Sequence, residues 1–190
     1  MLAAATAPRA YFRGPITLHS SMSLDPLFTQ LLSDDDVKVL EAIEKVDQRG
    51  DAMAIVPLLH ALVKARDHSV RQRITTMLFE VKAKGAQEQL LAALDIPELL
   101  PVRGTVLASF WNAGMDMREH LPQLSHIAIQ GSASEALECL TIVQEQTAWP
   151  EKAARAAAKD LRLASTDERD ELKASVLTDI AEELERRLAK

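Results

Sequence analysis

An apolar pattern that returns every 32 to 35 residues constrains this chain more than any other feature of its sequence. Val39, Ile74, Val106 and Cys139 follow one another at intervals of 35, 32 and 33, and Ile43, Leu78, Phe110 and Val143 repeat those intervals. Between them, Leu59, Leu91 and Leu124 step by 32 and 33, as do Leu62, Leu94 and Ile127. Inside each unit the spacing is helical. Val39, Ala42, Ile43 and Val46 make one buried stripe, and Val56, Leu59, Leu62 and Val63 make a second. Gly50, Gly85 and Gly114 recur near the turns, and Pro57 and Pro122 stand two periods apart. A helix-turn-helix unit cannot bury its apolar face alone, so its recurrence at this period predicts stacked antiparallel helix pairs, an α-solenoid.

Capping signals set the expected boundaries. The Asp34-Asp35-Asp36 cluster supplies acceptors and negative charge at the start of the first repeat. Ser132 with Glu135 reads as a capping box, Pro97 as a first-turn proline after Asp95, and Pro150 as a further helix start. Ser165 with Glu168 reads as a second capping box, opening a last helix that runs to about Leu188. Its apolar positions are Leu172, Val176, Leu177, Ile180, Leu184 and Leu188. No segment reads as a strand, in keeping with aromatic residues at only 4%. The expected organisation is a flexible or mis-assigned extension over 1–21 ahead of a start at Met22, a short leading helix over 22–33, repeats over 34–149, and a closing helical pair over 150–190. In all, this predicts an all-α, right-handed solenoid of about four antiparallel pairs plus a C-terminal capping helix.

Charge and composition narrow the functional classes. Residues 34–149 carry 11 basic and 17 acidic side chains, an excess of the wrong sign for binding a phosphate backbone, so nucleic acid is an unlikely partner. The single cysteine, Cys139, forbids an intramolecular disulfide and suggests a reducing, cytoplasmic setting. No uninterrupted apolar run approaches the ~18 residues of a membrane span.

Val70-Arg71 and Val102-Arg103, with Val37-Lys38 as a looser version, match a valine-arginine pair common in HEAT and armadillo-type units. Phe110-Trp111-Asn112-Ala113-Gly114-Met115-Asp116, Ile127-Ala128-Ile129-Gln130-Gly131 and Glu135-Ala136-Leu137-Glu138 resemble a family of small bacterial HEAT-repeat proteins without an assigned activity. The resemblance covers roughly residues 34–185, with the column fading beyond Pro150. It implies a non-enzymatic adaptor or scaffold that binds a protein or peptide, as a monomer or weak homodimer and without a cofactor. Phycobilin lyases and alkylpurine DNA glycosylases also use HEAT-like repeats, so a lyase-like or repair-like enzyme is the alternative, and a structural protein that self-associates through its C-terminal helix is a third.

Residues that invite a chemical role have plainer explanations. Cys139 occupies the column of Val39, Ile74 and Val106 and should behave as a buried hydrophobe. His60 and His68 are eight apart and His120 and His126 six apart, so neither pair has metal-ligand spacing on a helix. The acidic clusters fall at helix starts, where the macrodipole favours them. Trp111 is ambiguous: it could wedge between repeats with its indole N–H on a backbone carbonyl, or anchor a partner. With the leucine columns taken as core, His60, Lys64, Gln89, Arg118, Gln123 and His126 fall on or near the face of the second helices, where a partner would bind.

Overall fold

The computed structural model describes residues 25–189 and is all-helical over them; the extension over 1–21 lies outside the described residues. Ten α-helices follow in order: α1 Pro26–Leu31, α2 Asp36–Arg49, α3 Ile55–Lys64, α4 His68–Phe79, α5 Ala86–Ala93, α6 Arg103–Asn112, α7 Leu121–Gln130, α8 Ala133–Glu145, α9 Glu151–Asp167 and α10 Glu171–Leu188. Three 3₁₀ turns, Ala52–Ala54, Pro97–Val102 and Arg118–His120, lead into α3, α6 and α7. None of these helices is long and apolar enough to cross a membrane.

Local chemistry explains where the helices begin and end. Asp35 is the N-cap of α2, its carboxylate accepting the Val37 N–H at 3.1 Å. Asp67 does the same for α4, accepting from Ser69 at 2.8 Å and Val70 at 3.1 Å. At α8 both halves of the Ser132–Glu135 capping box are present. Gly50 closes α2 at φ 61°, and Gly114 sits at φ 68° after α6; the missing Cβ makes these left-handed conformations cheap.

Two expected boundaries are corrected. Ser165 does not cap the last helix: it lies inside α9, its hydroxyl donating to the Arg162 carbonyl at 2.9 Å. The alanine-rich α9 has enough helix propensity to run through it. The N-cap of α10 is Asp170, which accepts from the Lys173 N–H at 3.1 Å. Pro97 opens a 3₁₀ turn in place of an α-helix. Pro101 follows within that turn and has no N–H to give an α ladder, which starts only at Arg103.

The apolar columns become one continuous core reaching from Leu27 to Leu184. Val39, Ile74, Val106 and Cys139 are all buried, as are Ile43, Leu78, Phe110 and Val143. The second-helix columns need adjustment. Leu59 and Leu62 are buried, but Val56 is only half-buried and Val63 is exposed. Helix α3 packs on α1, α4, α5 and the Pro97–Val102 turn, and the arc those neighbours cover takes in Ile55, Leu58 and Ala61 instead. In α5, Leu90 takes the deepest position and Leu91 the margin. In α10, Leu172 is exposed because Lys173 holds the inward place, its ammonium donating to the Ile129 carbonyl and Glu168, each at 2.8 Å.

Packing between helices is regular. The even-numbered helices touch in succession, α2 on α4, α4 on α6, α6 on α8 and α8 on α10. Among the odd-numbered helices, α1 packs on α3, α3 on α5 and α7 on α9. Sequential partners are α1 with α2, α3 with α4, α5 with α6, α7 with α8 and α9 with α10. The short helix over Pro26–Leu31 is therefore the partner of α2, tied to its far end by the Asp25–Arg49 ion pair at 2.7 Å.

Candidate functional site

The loop that follows α6 is wired from both sides. The Lys82 ammonium donates to the Ala113 carbonyl at 2.7 Å, and the Gln87 amide donates to the Asp116 carbonyl at 2.7 Å. From the other direction, the Gln146 side chain accepts the Met117 N–H and donates to the Met115 carbonyl, both at 3.1 Å. Residues 113–117 are thus clamped by polar side chains lying about one period before and one period after them. Met117, at the end of this segment, is fully buried.

Over this clamped loop lies a groove of about 280 Å³, lined by Trp111, Gly114, Asp116, Arg118, Glu145, Gln146 and Thr147. Trp111 comes from the last turn of α6 and is half-buried. Its indole N–H donates to Glu138 Oε2 at 2.8 Å, so the ring does bridge successive even-numbered helices, but through a carboxylate and not the expected backbone carbonyl. A charged acceptor makes the stronger bond, and Glu138 on α8 presents one within reach. Arg118 grips Asp116 with two nitrogens, Nε at 2.9 Å and Nη2 at 2.6 Å, and donates its backbone N–H to the same carboxylate. The Arg118 side chain and its N–H together hold the Asp116 carboxyl down at about 2. The groove thus carries a fixed, ionised pair beside an aromatic ring.

Of the residues singled out in the sequence, the structure brings Trp111 and Arg118 together. Lys64 lies elsewhere, on the wall of a cleft of about 660 Å³ that mixes Asp34, Asp36 and Arg66 with apolar side chains. His60, Gln89 and Gln123 are half-buried on α3, α5 and α7, and His126 is exposed on α7. Sequence reasoning misses Glu138, Glu145, Gln146 and Thr147. Glu138 lies 27 residues beyond Trp111, somewhat short of one period, so a search for polar contacts between neighbouring repeats could have found it. Gln146 carries no comparable mark, because a glutamine at a helix end looks like any solvated residue.

A second polar cluster is structural. Arg103 Nε donates to Glu135 Oε1 at 2.6 Å, while Glu135 Oε2 accepts the Ser132 N–H at 2.7 Å. Burial alone would raise the Glu135 carboxyl, but Arg103 and Ser132 outweigh it and hold it below its usual value. Cys139 sits nearby, fully buried; that burial, followed by the charges of Glu135 and Glu138, pushes its thiol well above the ordinary range. A thiol so raised is a poor nucleophile. Among the described residues no group of three or more His, Cys, Asp or Glu is placed to hold a metal ion.

Comparison with protein-family models, with curated proteins and with solved structures returned no match.

Proposed function

We propose that the chain is a right-handed, HEAT-like solenoid that works in the cytoplasm as a protein-binding adaptor, with the Trp111 groove as its partner site. The periodic columns and the successive packing of even-numbered helices support the architecture. The binding reading rests on one observation: a half-buried tryptophan and an arginine share an open groove whose floor is clamped on both sides. Trp and Arg are the residues most often found at the energetic centre of interfaces. A surface already held in place loses little conformational freedom when a partner arrives, which favours affinity. No bond chemistry is required, and the ionised Asp116–Arg118 pair would set the orientation of a polar group on the partner.

Affinity capture from the native cell extract tests this. Wild-type protein should recover a partner in stoichiometric amount, and Arg118→Glu, an exposed change that leaves the core alone, should lose it. Trp111→Phe should weaken recovery by about tenfold, the scale of one truncated interface anchor. Equal recovery by all three proteins would place the partner elsewhere and sink the assignment of the groove.

A further inference from the structure

The Trp111 groove is short of positive charge. Glu138 and Glu145 stand seven residues apart on α8, about two turns along one helical face. Glu138 gives its Oε2 to the Trp111 indole at 2.8 Å, and Glu145 lines the groove with that ring. Neither carboxylate has an ion-pair partner among the described residues, because the cations nearby are committed elsewhere. Arg118 is gripped by Asp116, Arg103 by Glu135 and Arg187 by Glu183. Lys82 donates to the Ala113 carbonyl from a separate hollow that it shares with Asp47 and Glu80. His120 lies near Asp116 and does not line the groove. With Asp116 and Arg118 cancelling each other, Glu138 and Glu145 leave two negative charges uncompensated beside an aromatic ring.

We infer that the groove receives an arginine side chain from a basic segment of the partner protein, its guanidinium stacked on Trp111 and facing Glu138 and Glu145. The inference rests on the reading of this groove as the partner site. Tryptophan holds a cation better than any other side-chain ring. Arginine suits the site better than lysine, because its planar guanidinium can stack on the indole and fork to a carboxylate at once. Glu138 spends only Oε2 on the indole, so Oε1 is left to accept from the incoming cation. Arg118 holds Asp116 with Nε and Nη2, which leaves its Nη1 to donate to a backbone carbonyl of the same segment. That second contact is why Arg118→Glu loses the partner although it makes the groove more acidic. A free anion would find no unpaired cation in this lining. The volume of about 280 Å³ also falls just below the roughly 300–1,000 Å³ of small-molecule sites, and suits one long side chain.

Nuclear magnetic resonance on the full chain tests the inference through the indole N–H of Trp111, with the indole of the buried Trp149 as internal reference. The probe is a short Gly-Ser peptide carrying two arginines, and matched peptides carry lysine, glutamine or glutamate in their place. At ~150 mM salt the arginine peptide should move the Trp111 signal saturably and leave that of Trp149 unmoved. Glu138→Gln combined with Glu145→Gln removes both charges and keeps an acceptor for the indole. That variant should bind the arginine peptide about tenfold more weakly, its unchanged Trp149 signal showing that it is folded. A Trp111 signal that stays still at ~10 mM arginine peptide would overturn the inference, as would equal shifts from any matched peptide or undiminished binding by the double variant. A partner captured through the groove while the arginine peptide fails would sink the arginine alone. Peptide binding with no partner recovered would support the arginine site and count against the adaptor reading.

Discussion

Replacing Gly131 with alanine should destabilise the fold by about 3 kcal/mol, although nothing in its backbone conformation forbids a side chain. Gly131 ends α7 at φ −84° and ψ −171°, a region open to any residue. The obstacle is space. A Cβ there would stand 2.6 Å from Glu135 Oε2, 2.7 Å from the Ile127 carbonyl oxygen and 3.2 Å from Arg103 Nη2. The Ile127 oxygen accepts the Gly131 N–H at 2.7 Å, so it cannot retreat without loosening the last turn of α7. Glu135 can retreat only by giving up Arg103 or the Ser132 N–H. Overpacking of this kind costs about 1–3 kcal/mol. Losing the capping box adds about 1 kcal/mol, and weakening the half-buried ion pair adds up to about 1 kcal/mol. For a chain of this length each kcal/mol moves the midpoint by about 2–4 °C, so thermal denaturation followed by circular dichroism should show a fall of roughly 6–12 °C. Gly104→Ala is the control: it lies inside α6, its Cβ would meet nothing within 4 Å, and alanine is the better helix former. That variant should gain about 0.5–1 kcal/mol. A fall of less than ~2 °C for Gly131→Ala, or equal shifts for both glycines, would refute the argument from close approach.

Three further outcomes follow from the same structure. Phe110, fully buried on α6, should cost about 3–5 kcal/mol when cut to alanine, measured by urea denaturation. Cys139 should react with a thiol reagent only as fast as the protein opens, and unfolding in denaturant should expose it at once. Glu168 is held at about 2 by the Lys173 side chain and the N–H groups of Asp170 and Arg169. A carboxyl lowered on folding stabilises the protein above its ordinary value, and that contribution is lost as the pH falls towards 2. Acid titration should therefore show Glu168→Gln losing less stability than wild type between about pH 4.5 and pH 2.

Much of the fold was legible because burial on a helix leaves a periodic trace. The two columns through Val39 and Ile43 could be read directly, since all eight of their positions are buried and the helices that carry them pack in succession. The Ser132–Glu135 box was legible because both residues act within four positions of chain. Legibility failed where several elements meet. Nothing local says that α3 is surrounded widely enough to bury Ile55 and Leu58 in preference to Val56 and Val63. Ser165 and Glu168 have the letters of a capping box, but α9 outruns the first of them. At the groove, Trp111 and Arg118 drew attention by type, while Glu138 and Gln146 matter only through contacts spanning 27 to 31 residues. Whether Arg118 would face Asp116 or the solvent could not be read from their spacing.

The adaptor reading is tested most directly by placing a photo-crosslinking amino acid at Thr147, on the rim of the groove, and another at His126, exposed on α7, and irradiating each protein in native extract. The account predicts one abundant adduct from position 147, competed away by unlabelled wild type but not by Arg118→Glu, and none from position 126. An adduct from position 126 alone, or no adduct from position 147, would contradict it.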